Sequence, residues 1–393
     1  MARQRLRVPD GTSIALVLQG GGALGAYQAG VFDELSQTRL EPNWIAGISI
    51  GALNACVIAG NKPKDRIKKL QEFWQRISAP NWLPPTTFGL QAGWEPRDPA
   101  ARSWLDSLEA WRALIEGQRG FYTPRNWLAF GGMVGAEDPA KVSWYDTGPM
   151  LETLNSMCDF KRVNQGDLRV SVGAVNVATG QLEYFDNRRQ ELRAEHFLAS
   201  GALPPSFPAV EIDGNYYWDG GVVSNTPLSY VMEQCTAPQR LILQVDLWNA
   251  GGALPETLLD VSERTKEVQY ASRTRQVTQM HRIQQHYHRV IRELLERLPK
   301  DHSSDDPWVR HARAMSTTSK TSLVHLTYRD MALIGHFKDY QFGRIAIHDH
   351  MEAGRRDMRQ ALANPQWFEM PSGHDTFNVH SVDPSVIKDQ ETN

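Results

Sequence analysis

The stretch that most constrains this chain is Gly47-Ile48-Ser49-Ile50-Gly51. Apolar Trp44-Ile45-Ala46 enters it, and a helix-forming run of small and apolar residues, Ala52 to Ala59, leaves it. Gly-x-Ser-x-Gly between a strand and a helix reads as a nucleophile elbow. The serine sits on a strained turn, and the chain on either side passes too close for a Cβ at Gly47 and Gly51. The turn lifts the Ser49 hydroxyl clear of the sheet. It also sets Ser49 at a helix N-terminus, where backbone amides and the helix dipole favour negative charge. The pentapeptide alone occurs in ordinary turns; the strand before it and the helix after it give it meaning.

A second glycine cluster sharpens the reading. Ser13 to Leu18 is expected to be a buried parallel strand. It runs into Gln19-Gly20-Gly21-Gly22-Ala23-Leu24-Gly25, with a helix from about Ala26 to Leu35. Gly20, Gly22 and Gly25 fit the dinucleotide fingerprint Gly-x-Gly-x-x-Gly, which wants an acidic residue at the end of the second strand. That strand ends here in Ala46-Gly47-Ile48-Ser49, so the glycine amides read instead as an oxyanion hole beside the nucleophile. Far downstream, Val210 to Trp218 reads as a hairpin turning at Asp213-Gly214. It delivers Asp219-Gly220-Gly221. The turn accounts for Asp213; Asp219 taken by itself reads as a second turn, next to a glycine pair that lets the backbone pack closely.

Together, Gly20 to Gly25, Gly47 to Gly51 and Asp219-Gly220-Gly221 resemble, in this order, the patatin-like phospholipase family. Ala199-Ser200-Gly201-Ala202-Leu203-Pro204 and Asn225-Thr226-Pro227 share the likeness, which runs from about Ile14 to Trp248. The resemblance implies a three-layer α/β/α core with a mostly parallel sheet, and a Ser49–Asp219 dyad that cleaves carboxylic esters of lipids. Asp219 would serve as the base, with the amides of Gly20, Gly21 and Gly22 as the oxyanion hole. Such a site needs no cofactor and no metal. An ordinary Asp, with a pKa of ~3.9, is a poor base near neutrality, so the site must raise that value or rely on the amides. Leu24 stands where many members carry Arg or Lys. Neutral esters with short-to-medium acyl chains are therefore expected to be cleaved better than anionic phospholipids. The rival of another class is a non-catalytic lipid- or protein-binding scaffold of the same fold, which turnover would exclude. A histidine folding back from afar would make a triad instead.

The rest of the chain divides by composition. Residues 11–250 read as the acyl hydrolase core, 73–147 within it as a helical insertion or cap, and 251–393 as a mainly helical extension like that of a bacterial subgroup of the family. The insertion is rich in aromatics, among them Phe73, Trp74, Trp82, Phe88, Trp94, Trp104, Trp111, Phe121, Tyr122, Trp127 and Phe130, which suit either ordinary packing on the core or a cap or acyl-chain pocket over Ser49. From Glu256 to Leu298 an apolar stripe (Val277, Met280, Ile283, Tyr287, Val290, Ile291, Leu294, Leu298) marks one face of a long helix. That face would pack on the core or on a partner helix, including that of a second copy. Ser322 to Tyr328 reads as a late strand, Ile345 to Leu362 as a last helix, and the polar tail after Pro371 as loosely ordered.

A net charge of −3 gives no electrostatic case for nucleic acid. Cys56, Cys158 and Cys235 are an odd number at no metal spacing, which suggests a reducing compartment. His348-Asp349-His350 is a poor metal site, because i and i+2 diverge on a helix. The apolar run Ile14 to Leu18 is too short for a signal-peptide core, and no stretch approaches the ~20 residues needed to span a bilayer. The expectation is a cytoplasmic protein, touching membranes or lipid bodies at most at their surface. The basic residues between Lys62 and Lys69 read first as a solvated helix face and second as a membrane contact.

Overall fold

The computed structural model describes residues 8–78, 99–125, 138–298, 306–316, 319–329, 338–373 and 375–382. In chain order, β1 (Ser13–Leu18) feeds α1 (Ala26–Ser36), and β2 (Trp44–Gly47) feeds α2 (Ile50–Ala59) and α3 (Arg66–Ile77). Helix α4 (Pro99–Glu116) and a small ribbon of β3 (Thr123–Pro124) and β4 (Tyr145–Asp146) precede α5 (Gly148–Met157) and α6 (Phe160–Gln165). Then come β5 (Arg169–Asn176), β6 (Leu182–Asp186), α7 (Ala194–Ser200), β7 (Val210–Ile212), β8 (Asn215–Asp219), α8 (Leu228–Gln234) and β9 (Gln239–Asp246). The last part supplies α9 (Leu258–Arg297), α10 (Pro307–Met315), β10 (Lys320–Thr327), α11 (Arg344–Leu362) and β11 (Phe377–Ser381).

Among the described residues, β1 runs between parallel neighbours, β2 on one side and β9 on the other. Such a strand is covered on both faces, which is why its sequence is continuously apolar. Its side chains alternate between two cores. Ile14, Leu16 and Leu18 join the residues of α1, α2 and α11, whereas Ala15 and Val17 join Leu228, Val231 and Met232 of α8. The result is a mostly parallel sheet of nine strands between helical layers, in the order β11-β10-β9-β1-β2-β5-β8-β7 with β6 also on β5. The chain builds outward from β1 through β2 to β5 and, later, through β9 to β10 and β11 on the opposite side. Strand order therefore reverses between β1 and β9, and at such a switch point the loops after the strands diverge and leave a crevice.

The C-terminal part is built into this sheet. β10 pairs in parallel with β9 from Lys320↔Gln239 to Thr327↔Asp246. The tail read as loosely ordered carries β11, which pairs with β10 from Thr321↔Phe377 to His325↔Ser381. Helix α11 lies close on α1: a Cβ on Gly354 would stand 2.1 Å from the Tyr27 carbonyl oxygen. Among the described residues, no helix is long and apolar enough to cross a membrane.

Candidate active site

Ser49 stands between β2 and α2 with φ 53° and ψ −125°. A non-glycine residue holds such a backbone at a cost of ~1–3 kcal/mol, and only when its surroundings enforce it. They do so here by close approach. A Cβ on Gly47 would lie 2.4 Å from the Gly51 carbonyl, and one on Gly51 2.4 Å from the Leu18 oxygen. The Ser49 N–H donates to the carbonyl oxygen and to Oγ of Ser200, both at 3.1 Å. Two residues on, the Ala202 carbonyl accepts the Asp219 N–H at 2.9 Å. The segment from Ser200 to Ala202 thus braces both backbones of the candidate pair.

The sheet explains how Asp219 arrives. On one edge of β5, β6 pairs along Ser171 to Val175. On the other edge, β2 pairs from Arg169 to Val172 and stops where the elbow turns away. Antiparallel β8 takes up the vacated edge from Ala174, and its register puts Asp219 opposite Ala174. The tight Asp213-Gly214 turn, with φ of 50° and 82°, delivers β8. Asp219 is buried, its carboxyl accepts a hydrogen bond from the Gly221 amide at 2.7 Å, and it lines one cavity with Ser49. Burial pushes its pKa up to about 7 against the opposing pull of the neighbouring Ser49 hydroxyl and Gly221 amide. That is the range in which a carboxylate can serve as a base near neutrality.

The glycine loop departs from expectation at one position. The Gly20 N–H donates to the Asn225 carbonyl at 3.2 Å, so it is not free to hold an oxyanion. The Gly21 amide takes no backbone acceptor among the described residues, nor do those of Gly22 and Ile50, each the first residue of a helical turn. Gly20, Gly21, Gly22, Ser49 and Ile50 line a common cavity with Asp219 and Gly221. Gly25 lies against Ile50, Gly220 over the Gly173 carbonyl, and Gly221 beside Asp219 and Asn225. The sequence reading left out Ile50, although it follows the candidate nucleophile at a helix N-terminus.

The rest of the cavity is mainly apolar and aromatic, with Leu53, Phe121, Tyr122, Leu203, Phe207, Trp248, Tyr270, Tyr340 and Phe342 on its walls. Its free volume is about 60 Å³, against roughly 10–15 Å³ for a single water. No cation lines it among the described residues; its charged groups are Asp219 and Asp339. Asp339 is held by Lys266, whose ammonium also approaches Glu263 at 3.5 Å. Leu24 points into the main core and not into the cavity, so its identity does not set the charge met by a substrate. Phe121 and Tyr122 of the insertion reach the cavity, whereas Phe73 and Trp74 belong to the buried face of α3. Trp82, Phe88, Trp94, Trp127 and Phe130 lie outside the described residues, as does the side chain of Trp104. Asp246 is bound by Gln244 and His325, and His350 by the Tyr328 hydroxyl.

A family model described as "Patatin-like phospholipase" matches residues 16–232, and another described as "Patatin phospholipase" matches residues 268–374. Among solved structures, VipD from Legionella pneumophila aligns over 91% of this chain and 67% of its own, at 15% identity and a TM-score of 0.39. A chain of the ExoU–SpcU complex from the type III secretion system of Pseudomonas aeruginosa aligns over 64% of this chain, at 16% identity and a TM-score of 0.26. This chain covers 46% of that one's length. No curated protein matches. The first family model runs through more than half of the 393 residues, and the chain belongs to the patatin-like phospholipase family, whose fold carries a serine-based hydrolysis of lipid and other carboxylic esters.

Proposed function

We propose that Ser49 and Asp219 form the catalytic dyad of this hydrolase. The observation that carries the reading is Ser49, held on a strained elbow in the same cavity as the buried Asp219 carboxyl, whose pKa stands near 7. Ser49 Oγ attacks the ester carbonyl while its proton passes to Asp219. The amides of Gly21, Gly22 and Ile50 hold the resulting oxyanion; losing one such donor typically costs ~2.7–4 kcal/mol of transition-state stabilisation. Asp219 returns the proton to the departing alcohol. It then takes one from water, which attacks the acyl-enzyme and frees the acid. Among the described residues, no histidine lines the cavity, which favours a dyad.

The substrate class follows from the walls. Aromatic side chains suit an acyl chain, and among the described residues no lining cation offsets a phosphate's desolvation. We therefore assign neutral esters with short-to-medium acyl chains as preferred over anionic phospholipids. Three buried free cysteines fit a reducing, cytoplasmic setting. Met280, Ile283, Tyr287 and Leu294, exposed in one row on α9, are the face by which two copies would associate or a lipid surface would be met. Hydrolysis of p-nitrophenyl esters of graded chain length by the wild type and by Ser49→Ala tests the core of this reading. Turnover that peaks at short-to-medium chains and vanishes with Ser49→Ala is the expected result. Ester hydrolysis unaffected by Ser49→Ala contradicts it, and an inert wild type would favour a binding scaffold.

A further inference from the structure

Gly20 is gripped from several sides, and the grip dictates where the next amide points. Its carbonyl oxygen accepts two buried side-chain donors, Asn225 Nδ2 at 2.9 Å and Trp248 Nε1 at 2.8 Å. In a planar trans peptide the carbonyl of one residue and the N–H of the next point in opposite directions. Pinning the Gly20 carbonyl therefore fixes the Gly21 N–H on the other side of that peptide plane. The preceding peptide is pinned in the same manner: its Gln19 carbonyl accepts Gln28 Nε2 at 2.6 Å, and its Gly20 N–H goes to the Asn225 carbonyl. Of the two consecutive amides, the first is committed to Asn225 and the second is left for the cavity.

The donors are themselves fixed. Gln19 Oε1 accepts the backbone amides of Leu247 and Trp248, at 2.6 and 3.2 Å, and so places the indole. Gln19 Nε2 donates to Thr274 Oγ1 at 3.1 Å, and that hydroxyl lies 2.9 Å from the hydroxyl of Thr226, the residue after Asn225. Gln19, Asn225, Thr226, Trp248 and Thr274 are all at least nine-tenths buried. Thr274 lies on α9, in the C-terminal part of the chain.

We infer that Trp248 and Asn225 are positioning residues for the oxyanion donor Gly21, and that α9 takes part in this through Thr274. The inference rests on the dyad reading. Both residues act on the amide and not on the nucleophile, so their loss is felt where charge develops on the carbonyl oxygen. Ground-state binding should be nearly untouched.

Trp248→Phe removes the one N–H and keeps most of the aromatic wall. It should lower kcat roughly 10- to 100-fold on a p-nitrophenyl ester and leave KM within about twofold, a split that loss of wall packing does not give. Affinity for a trifluoromethyl ketone, which forms a tetrahedral adduct with Ser49, should fall in step with kcat. Affinity for the matching secondary alcohol, which forms none, should stay. Thr274→Val, with the ring and the wall intact, should give the same pattern at a few-fold. Normal kcat in Trp248→Phe, or a rise in KM alone, overturns the inference. If Trp248→Phe does not fold, Thr274→Val with wild-type kcat and ketone affinity overturns it. Ser49→Ala in the same assay separates the two readings. Hydrolysis that survives Ser49→Ala removes the dyad itself, whereas Ser49-dependent hydrolysis indifferent to Trp248 and Thr274 removes only the positioning role.

Discussion

The two sides of the cavity are built in opposite ways. The side to which we assign the chemistry sits on two short turns, Gly20 to Gly22 after β1 and Ser49 and Ile50 after β2, with atoms packed tightly against their glycines. The other side is collected from afar, from Phe121 and Tyr122 after α4, Phe207 after α7, Tyr270 on α9 and the run from Asp339 to Phe342 before α11. The contrast teaches a division of labour. Short glycine turns can fix an attacking hydroxyl and its amides to fractions of an ångström, whereas a wall for an acyl chain needs only bulk and apolarity. Variants on the first side should therefore change rates by orders of magnitude, and variants on the second should change selectivity by small factors.

The sharpest break falls on Asp219. Asp219→Asn should lower kcat/KM by about 10³- to 10⁴-fold, because an amide cannot take the serine proton. The same variant should be more stable than the wild type at pH 8. The folded-state pKa of about 7 lies above the ~3.9 of an unfolded Asp. Below pH ~4 the group is protonated in both states and costs nothing. As pH rises through the window from ~4 to 7 the unfolded chain ionises first, and native stability falls. Above pH 7 the loss is on the order of 4 kcal/mol relative to acid. Urea melts at pH 4, 6 and 8 should show the two proteins diverging across that window and in that direction.

Next in size, Gly22→Val should reduce kcat about 10²- to 10³-fold. Gly22 holds φ 55°, and a Cβ there would stand 2.3 Å from the Asp339 carbonyl oxygen. Steady-state kinetics decide it: a rise in KM with kcat unchanged would mean that the loop binds ground states. On the collected side, Phe342→Leu should shift the preferred acyl chain longer and change relative rates only a few-fold, since one methylene in an apolar pocket is worth about 1–3 kcal/mol at most. A profile over graded p-nitrophenyl esters reads this out. The smallest effect should come from charge reversal at Lys68 and Lys69, which pair with Glu72 on the surface of α3. Stability should move by less than about 1 kcal/mol and neutral-ester turnover by less than twofold. A large loss on anionic vesicles alone would instead assign that helix to phosphate recognition.

The same division decided what could be read from the chain beforehand. The elbow, the glycine loop and the Asp213-Gly214 hairpin are short patterns visible in the residues themselves, and Gly20 to Gly22, Ser49 and Asp219 line one cavity, although the atoms that crowd Gly20 to Gly22 come mainly from Asn225, Leu247, Trp248 and Asp339 far along the chain. The late strand and last helix were equally plain, from apolar runs and spacing. The commitment of the Gly20 amide to Asn225 was not legible, because the partner lies across the sheet. Nor was β11, a half-exposed edge strand with no apolar run of its own. Leu24 shows the same limit: its position in the motif says nothing of its direction, and its side chain turns into the core. The role of Ser200 to Ala202 showed only when both Ser49 and Asp219 were seen to hydrogen-bond to it.

The central claim, that Ser49 is the nucleophile and Asp219 its base, is tested most directly by a fluorophosphonate probe with peptide mapping across pH. The account predicts a single adduct on the peptide that contains Ser49, with a rate that rises through pH ~7 in step with ionisation of Asp219. That rate should collapse in Asp219→Asn and survive in His336→Ala, the control at a position outside the described residues and two before the Lys338–Tyr340 turn. An adduct on another residue, or a Ser49 adduct whose rate ignores Asp219→Asn and fails with His336→Ala, would contradict it.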